Sequence, residues 1–102
     1  MGTITIKNKS LKMSPGGLIS LSVAARKGLG MIKDRPARIG ISSDEKTILL
    51  KGDVENKDAF RVSSKGLTVL RGKEKELLSK ADKRHYWMEV NDDRKEVRLY
   101  PY

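Results

Sequence analysis

The stretch Gly17–Gly30, GLISLSVAARKGLG, reads as a short strand, a capped helix and a stop. Ile19 and Leu21 alternate with Leu18 and Ser20, the period of two that a half-buried strand requires. Ser22 then stands where a hydroxyl can accept from the free N–H groups of a first helical turn. Val23, Arg26 and Leu29 fall on neighbouring turns of that helix. Gly28 weakens it and Gly30 ends it, glycine being the residue that tolerates positive φ. The same stretch returns 49 residues later as Gly66–Ser79, GLTVLRGKEKELLS.

The repeat extends outward in both directions without a gap. Laying Ser14–Gly52 over Ser63–Pro101 matches Ser14/Ser63, Gly17/Gly66, Leu18/Leu67, Leu21/Leu70, Leu29/Leu78, Arg35/Arg84, Asp44/Asp93, Lys46/Lys95 and Leu50/Leu99. Apolar pairs keep the same phase: Leu11/Phe60, Met13/Val62, Ile39/Met88, Ile41/Val90 and Ile48/Val97. Chance likeness between two amphipathic stretches does not ordinarily preserve phase over such a length. Each unit reads β-β-α-β-β. The first covers residues 1–52 and the second 53–102, with the acidic, polar stretch 52–58 as the link. A unit of about 50 residues buries little apolar surface alone, so the two are expected to share one core in a single domain.

In chain order the expected elements are a long strand over Thr3–Ser14, whose phase slips near Asn8–Ser10 as at a bulge, and a tight turn at Ser14–Gly17 making a hairpin with Leu18–Leu21. A helix at about 22–29, a loop Met31–Pro36, and strands Ala37–Ile41 and Thr47–Lys51 complete the unit. In the second unit the expected strands are Ala59–Val62, Leu67–Leu70, Tyr86–Val90 and Glu96–Tyr100, with a helix over Arg71–Ala81. The fold class is therefore mostly β with two short helices, an α+β arrangement.

The formal net charge is +9, and it is uneven: residues 1–52 carry ten Lys/Arg against three Asp/Glu, residues 53–102 twelve against ten. A basic excess concentrated in one half points to a polyanion as partner. The chain has no cysteine, hence no disulfide framework and no thiolate chemistry. No run reaches the ~20 apolar residues of a membrane-spanning helix. MGTITIKNKS lacks the apolar core of a signal peptide. The expectation is a soluble cytoplasmic protein, nucleoid-associated if it binds DNA.

Catalysis finds no support. His85 is the single histidine and has no second ligand at metal spacing. Asp92 and Asp93 sit in a turn and should diverge. Ser14, Ser20 and Ser22 have no histidine in register to act as base. Neither an enzyme nor a cofactor or metal is expected. Cations are the better candidates: Lys7, Lys9 and Lys12 on the first strand, Arg26 and Lys27 on the first helix, and Arg61 and Lys75 in the second unit, each able to neutralise phosphate. The plainer alternatives are edge protection by strand lysines and a solvated helix face. Trp87 lies between inward-facing Tyr86 and Met88, so it points outward, either into an interface or under a neighbouring side chain. Tyr100 and Tyr102 are expected at the rim.

Gly17, Ile19, Leu21, Arg26, Leu29, Gly30 and Asp34, with the Ile39/Ile41 and Ile48/Leu50 strands, stand in a pattern that resembles the AbrB/SpoVT/MazE family of swapped-hairpin DNA-binding proteins. The resemblance implies a pseudo-two-fold swapped-hairpin β-barrel, two AbrB-like units fused in one chain in the manner of MraZ-type relatives. It also implies a regulator of transcription that binds double-stranded DNA. There are departures. Leu18, and Leu67 after it, stand where the family usually has arginine, Ser22 where it has proline, and Lys75 and Ser79 where it has arginine and glycine. The alternative function is a protein-interaction module in which Leu18, Leu67 and Trp87 make apolar contacts with a second copy or another protein.

Overall fold

The computed structural model describes residues 3–6, 11–52 and 60–101. The elements run β1 (Thr3–Ile6), β2 (Leu18–Ser20), α1 (Val23–Gly28), β3 (Ala37–Ser43), β4 (Ile48–Lys51), β5 (Phe60–Val62), β6 (Leu67–Val69), α2 (Gly72–Ser79), β7 (Tyr86–Asn91) and β8 (Glu96–Pro101). A single 3-10 turn, Asp82–Arg84, precedes β7. The chain is mostly β with two helices, as the sequence patterning requires. All strand pairs are antiparallel: a six-stranded sheet in the order β1-β7-β8-β4-β3-β5, and a ribbon of β2 and β6.

Alternation builds the core. In β7 and β8 every second residue is buried, placing Tyr86, Met88, Val90, Val97 and Leu99 inward. β4 lies beside β8 with Ile48 opposite Leu99 and Leu50 opposite Val97, so four fully buried aliphatic side chains meet at the middle of the sheet. Ile19, Leu21 and Leu70 enter the same cluster from the ribbon. The Tyr86 hydroxyl donates to the Ser20 carbonyl oxygen at 3.1 Å, fastening β2 over β7. Its phenol is pushed up to about 12, chiefly by burial.

Two expectations change. Of the expected strand over Thr3–Ser14, the described parts are β1 (Thr3–Ile6), paired with β7, and Lys12, which makes an isolated bridge to His85 just before β7. The expected bulge at Asn8–Ser10 and the stretch 53–58 of the link lie outside the described residues. The hairpin turn at Ser14–Gly17 does form. Ser14 N–H donates to the Leu18 carbonyl and Leu18 N–H to Ser14 Oγ, while Gly17 takes the left-handed φ of +94° that such a three-residue loop needs. Yet β2 then pairs with β6 rather than with the segment before its own turn. The second helix is shorter than Arg71–Ala81, because Ala81 turns to extended φ/ψ and buries its side chain.

Candidate nucleic-acid interface

The ribbon sets the positions of everything basic around it. Ile19 faces Thr68 at its centre, and both side chains are buried. Leu21 N–H donates to Gly66 O, and Leu70 N–H donates to Gly17 O, each at 2.8 Å. The ribbon therefore holds each hairpin turn against the strand end that leads into the opposite helix. Gly17 and Gly66, both left-handed, allow this approach: a Cβ on Gly66 would meet Leu21 O and Arg26 Cδ, and one on Gly17 would meet Leu70 O and Lys75 Cδ.

Helix α1 begins as expected. Ser22 Oγ accepts from Ala25 N–H at 3.3 Å. It ends with Gly30 N–H on Lys27 O and Met31 N–H on Arg26 O, the paired bonds of a left-handed glycine stop. Gly28 is buried because it has to be, since Val90 Cγ1 fills the space a side chain would need. Within this helix the two candidate cations differ. Arg26 is half-buried: its Nε donates to Ser22 O and its Nη1 to Ser64 O, both at 3.4 Å. Lys27 is exposed.

Two depressions flank the Ser63–Gly66 turn. One, of about 450 Å3, takes in Arg26, Lys27 and Lys33 with Val23, Ile32 and Ser64. The other, of about 350 Å3, takes in Arg61 and Arg71 with Leu18, Leu67 and Val69. The structure thus gathers Arg26, Lys27 and Arg61 of the expected cations about one turn and adds Lys33 and Arg71. Arg61 also sits directly opposite Arg38 across β5 and β3, and both are exposed. Lys75 lies half-buried at the other end of the ribbon, with Cδ beside Gly17. Lys12 is exposed on its bridge to His85, and Lys7 and Lys9 lie outside the described residues.

Leu18 and Leu67 are 39% and 37% exposed, and Val69, opposite Leu18, is 37% exposed. Val69 and Arg71 were legible in the sequence, since alternation from Leu67 puts both on its face; Lys33, on a loop, carries no such signal. Trp87 does point away from Tyr86 and Met88, but half-buried: it stacks on Tyr100 at 4.1 Å between ring centroids, with the planes 9° apart. Tyr100 is further held by a 3.5 Å hydrogen bond from its hydroxyl to Glu89. Tyr102 lies outside the described residues.

In comparisons with known proteins, no family model, no curated protein and no solved structure matches this chain. The function has to be argued from the residues. Among the described residues no group of three or more His, Asp or Glu side chains is placed to hold a metal ion. His85 has its Nδ1 3.0 Å from Asp82 O, part of the 3-10 turn rather than of a reacting pair. Among the described residues no helix is long and apolar enough to cross a membrane. What the surface offers is positive charge at fixed positions.

Proposed function

We propose that this chain binds double-stranded DNA as a pseudo-dimer of two swapped-hairpin units closing one barrel, and that it acts as a regulator of transcription. The observation that carries the proposal is the set of cations on the two sides of the Ser63–Gly66 turn, Lys27 and Lys33 on one side and Arg61 and Arg71 on the other. Charge carried on turns and short elements about one hairpin turn suits a polyanion, and each phosphate contact releases counterions. The pseudo-two-fold arrangement is supported by bonds that recur at the 49-residue offset: Ser14 N–H to Leu18 O and Ser63 N–H to Leu67 O at 2.9 Å, and the crossed pair that ties Leu21 to Gly66 and Leu70 to Gly17.

The test is a salt series of fluorescence-anisotropy titrations with a mixed-sequence duplex, on the wild type, Lys27→Ala and Arg61→Ala. The expected result is binding that weakens steeply with salt, with each substitution lowering the log–log slope by about 1. Absence of binding at low salt refutes the proposal. Exposed Leu18, Leu67 and Val69 favour a second reading, a protein-interaction module using the ribbon face. It gains if duplex binding fails and Leu18→Ser/Leu67→Ser abolishes self-association.

A further inference from the structure

We infer that the depression between α1 and the 31–34 loop is a docking groove for an acidic protein segment that carries bulky aliphatic or aromatic side chains. The inference goes beyond the DNA reading and does not rest on it. Two features of the groove coincide. Its apolar side chains are unusually bare: Val23 is 58% and Ile32 67% exposed, the two most exposed large hydrophobic residues described. Its charge is one-sided, with Arg26, Lys27 and Lys33 against Asp34 alone. Phosphates would engage the cations but leave Val23 and Ile32 in water. An acidic peptide with large apolar side chains meets both requirements, carboxylates to the rim and apolar groups to the walls.

Hydrogen bonds tie down the backbone that carries the walls. Arg35 N–H donates to Ile32 O at 3.1 Å, and Asp34 takes a left-handed φ of 60°, so Ile32 and Lys33 stand on a closed turn. Met31 N–H anchors that turn to Arg26 O, and Arg26 Nη1 anchors the helix to Ser64 O. A preformed groove costs a ligand less to bind than one that must be ordered. The second unit supplies an internal comparison. At the 49-residue offset Val23, Lys27, Ile32 and Lys33 become Gly72, Glu76, Ala81 and Asp82. There Ala81 is buried, and Glu76 pairs with Lys80 at 3.5 Å. The bare apolar walls and the positive rim are specific to the first unit.

The probe is a fluorescein-labelled dodecapeptide of repeated Asp-Leu-Phe-Glu units, compared with one of Asp-Ala-Ala-Glu units at equal charge. Anisotropy is read without DNA at near-physiological salt, on the wild type, Val23→Ser/Ile32→Ser and Lys27→Glu/Lys33→Glu, with circular dichroism melts to check folding. The wild type should prefer the Leu-Phe peptide by about tenfold or more, Val23→Ser/Ile32→Ser should lose that preference, and Lys27→Glu/Lys33→Glu should weaken both peptides. Equal affinity for the two peptides overturns the inference, as does a preference that survives Val23→Ser/Ile32→Ser. It is also overturned if phosphatidylglycerol vesicles bind in place of the peptide, or if sedimentation shows wild-type self-association that Val23→Ser/Ile32→Ser abolishes. Because no DNA is present, failure here leaves the duplex reading where it stood, and failure of duplex binding leaves a positive peptide result intact.

Discussion

Gly28→Ala puts helix propensity and packing in opposition. In an open helix the exchange gains about 1 kcal/mol. Here a Cβ at residue 28 would run into Val90 Cγ1 and lie 3.5 Å from Val90 Cβ. Val90 has little room to yield. It is 2% exposed, its backbone is paired to Ile4 on one side and Val97 on the other, and its β-branched side chain has a restricted χ1. Overpacking costs about 1–3 kcal/mol, and this setting places the cost near the upper end. Subtracting the propensity gain leaves a net loss of about 2 kcal/mol. At about 4–8 °C per kcal/mol for a domain near this size, the midpoint should fall by about 8–16 °C. The assay is urea and thermal unfolding followed by circular dichroism on the wild type, Gly28→Ala, Val90→Ala and the double variant. Removing the Val90 γ-methyls makes room for the new Cβ, so the double variant should be more stable than the sum of the singles implies, by about 1–2 kcal/mol. A Gly28→Ala protein as stable as the wild type, or strictly additive losses, would refute the packing argument and leave Gly28 as a mere weak point in α1.

Gly52→Ala should cost more, above about 3 kcal/mol in urea unfolding, because its Cβ would overlap the Leu29 carbonyl and a backbone cannot rotate away. Gly16→Ala, whose nearest neighbour is Ser14 Oγ at 3.9 Å, should stay within about 0.5 kcal/mol, and equal losses at the two sites would contradict the geometry. Tyr86→Phe removes the bond to Ser20 O and should cost about 1 kcal/mol at neutral pH. The same phenol makes the wild type alkali-sensitive. Below its ordinary value of 10.0 both states keep the proton; between 10.0 and about 12 the unfolded chain releases it first. Stability should therefore fall by about 1.4 kcal/mol per pH unit across that window, and Tyr86→Phe should flatten this part of the profile.

Much of the fold was legible because it is local. Alternation told which faces of β2 and β7 turn inward, and a hydroxyl at 22 with a glycine at 30 bounded α1 to within a residue. The offset of 49 predicted recurring turns, and the bonds at Ser14 and Ser63 are of one kind. Pairing was not legible. A period of two says which face a strand buries, never which strand lies beside it, so β2 was assigned to its own hairpin and not to β6. The end of α2 was missed for a related reason: charged KEKELLSK continues to favour helix, while Ala81 beyond it turns to extended backbone with its side chain buried. Gly28 looked like a flaw in the helix because the contact that requires it, Val90, lies 62 positions away in the sequence. Among the candidate cations, sequence could name the charges but not sort them.

That sorting changes what the net charge means. Arg26 and Lys27 are neighbours on one helix, yet the Arg26 guanidinium is spent on the carbonyls of Ser22 and Ser64, where it ties α1 to the opposite hairpin turn. Truncating it removes a clamp as well as a charge, so a loss of duplex binding in Arg26→Ala has two causes that one titration does not separate. Lys27, Lys33, Arg61 and Arg71 are exposed and lie about one turn. If those four make the phosphate contacts, the slope of log affinity against log salt should be about −4, following roughly −0.9 per contact. If the whole excess of +9 acted as a diffuse cloud, about −8 would be expected. A slope near −4 that Lys27→Ala and Arg61→Ala each reduce by about 1 belongs to a surface with fixed contacts. A slope near −8 that falls by the same ~0.9 whichever Lys or Arg is replaced, near the turn or far from it, belongs to a polycation, and the turn at Ser63–Gly66 would then have no special part in binding.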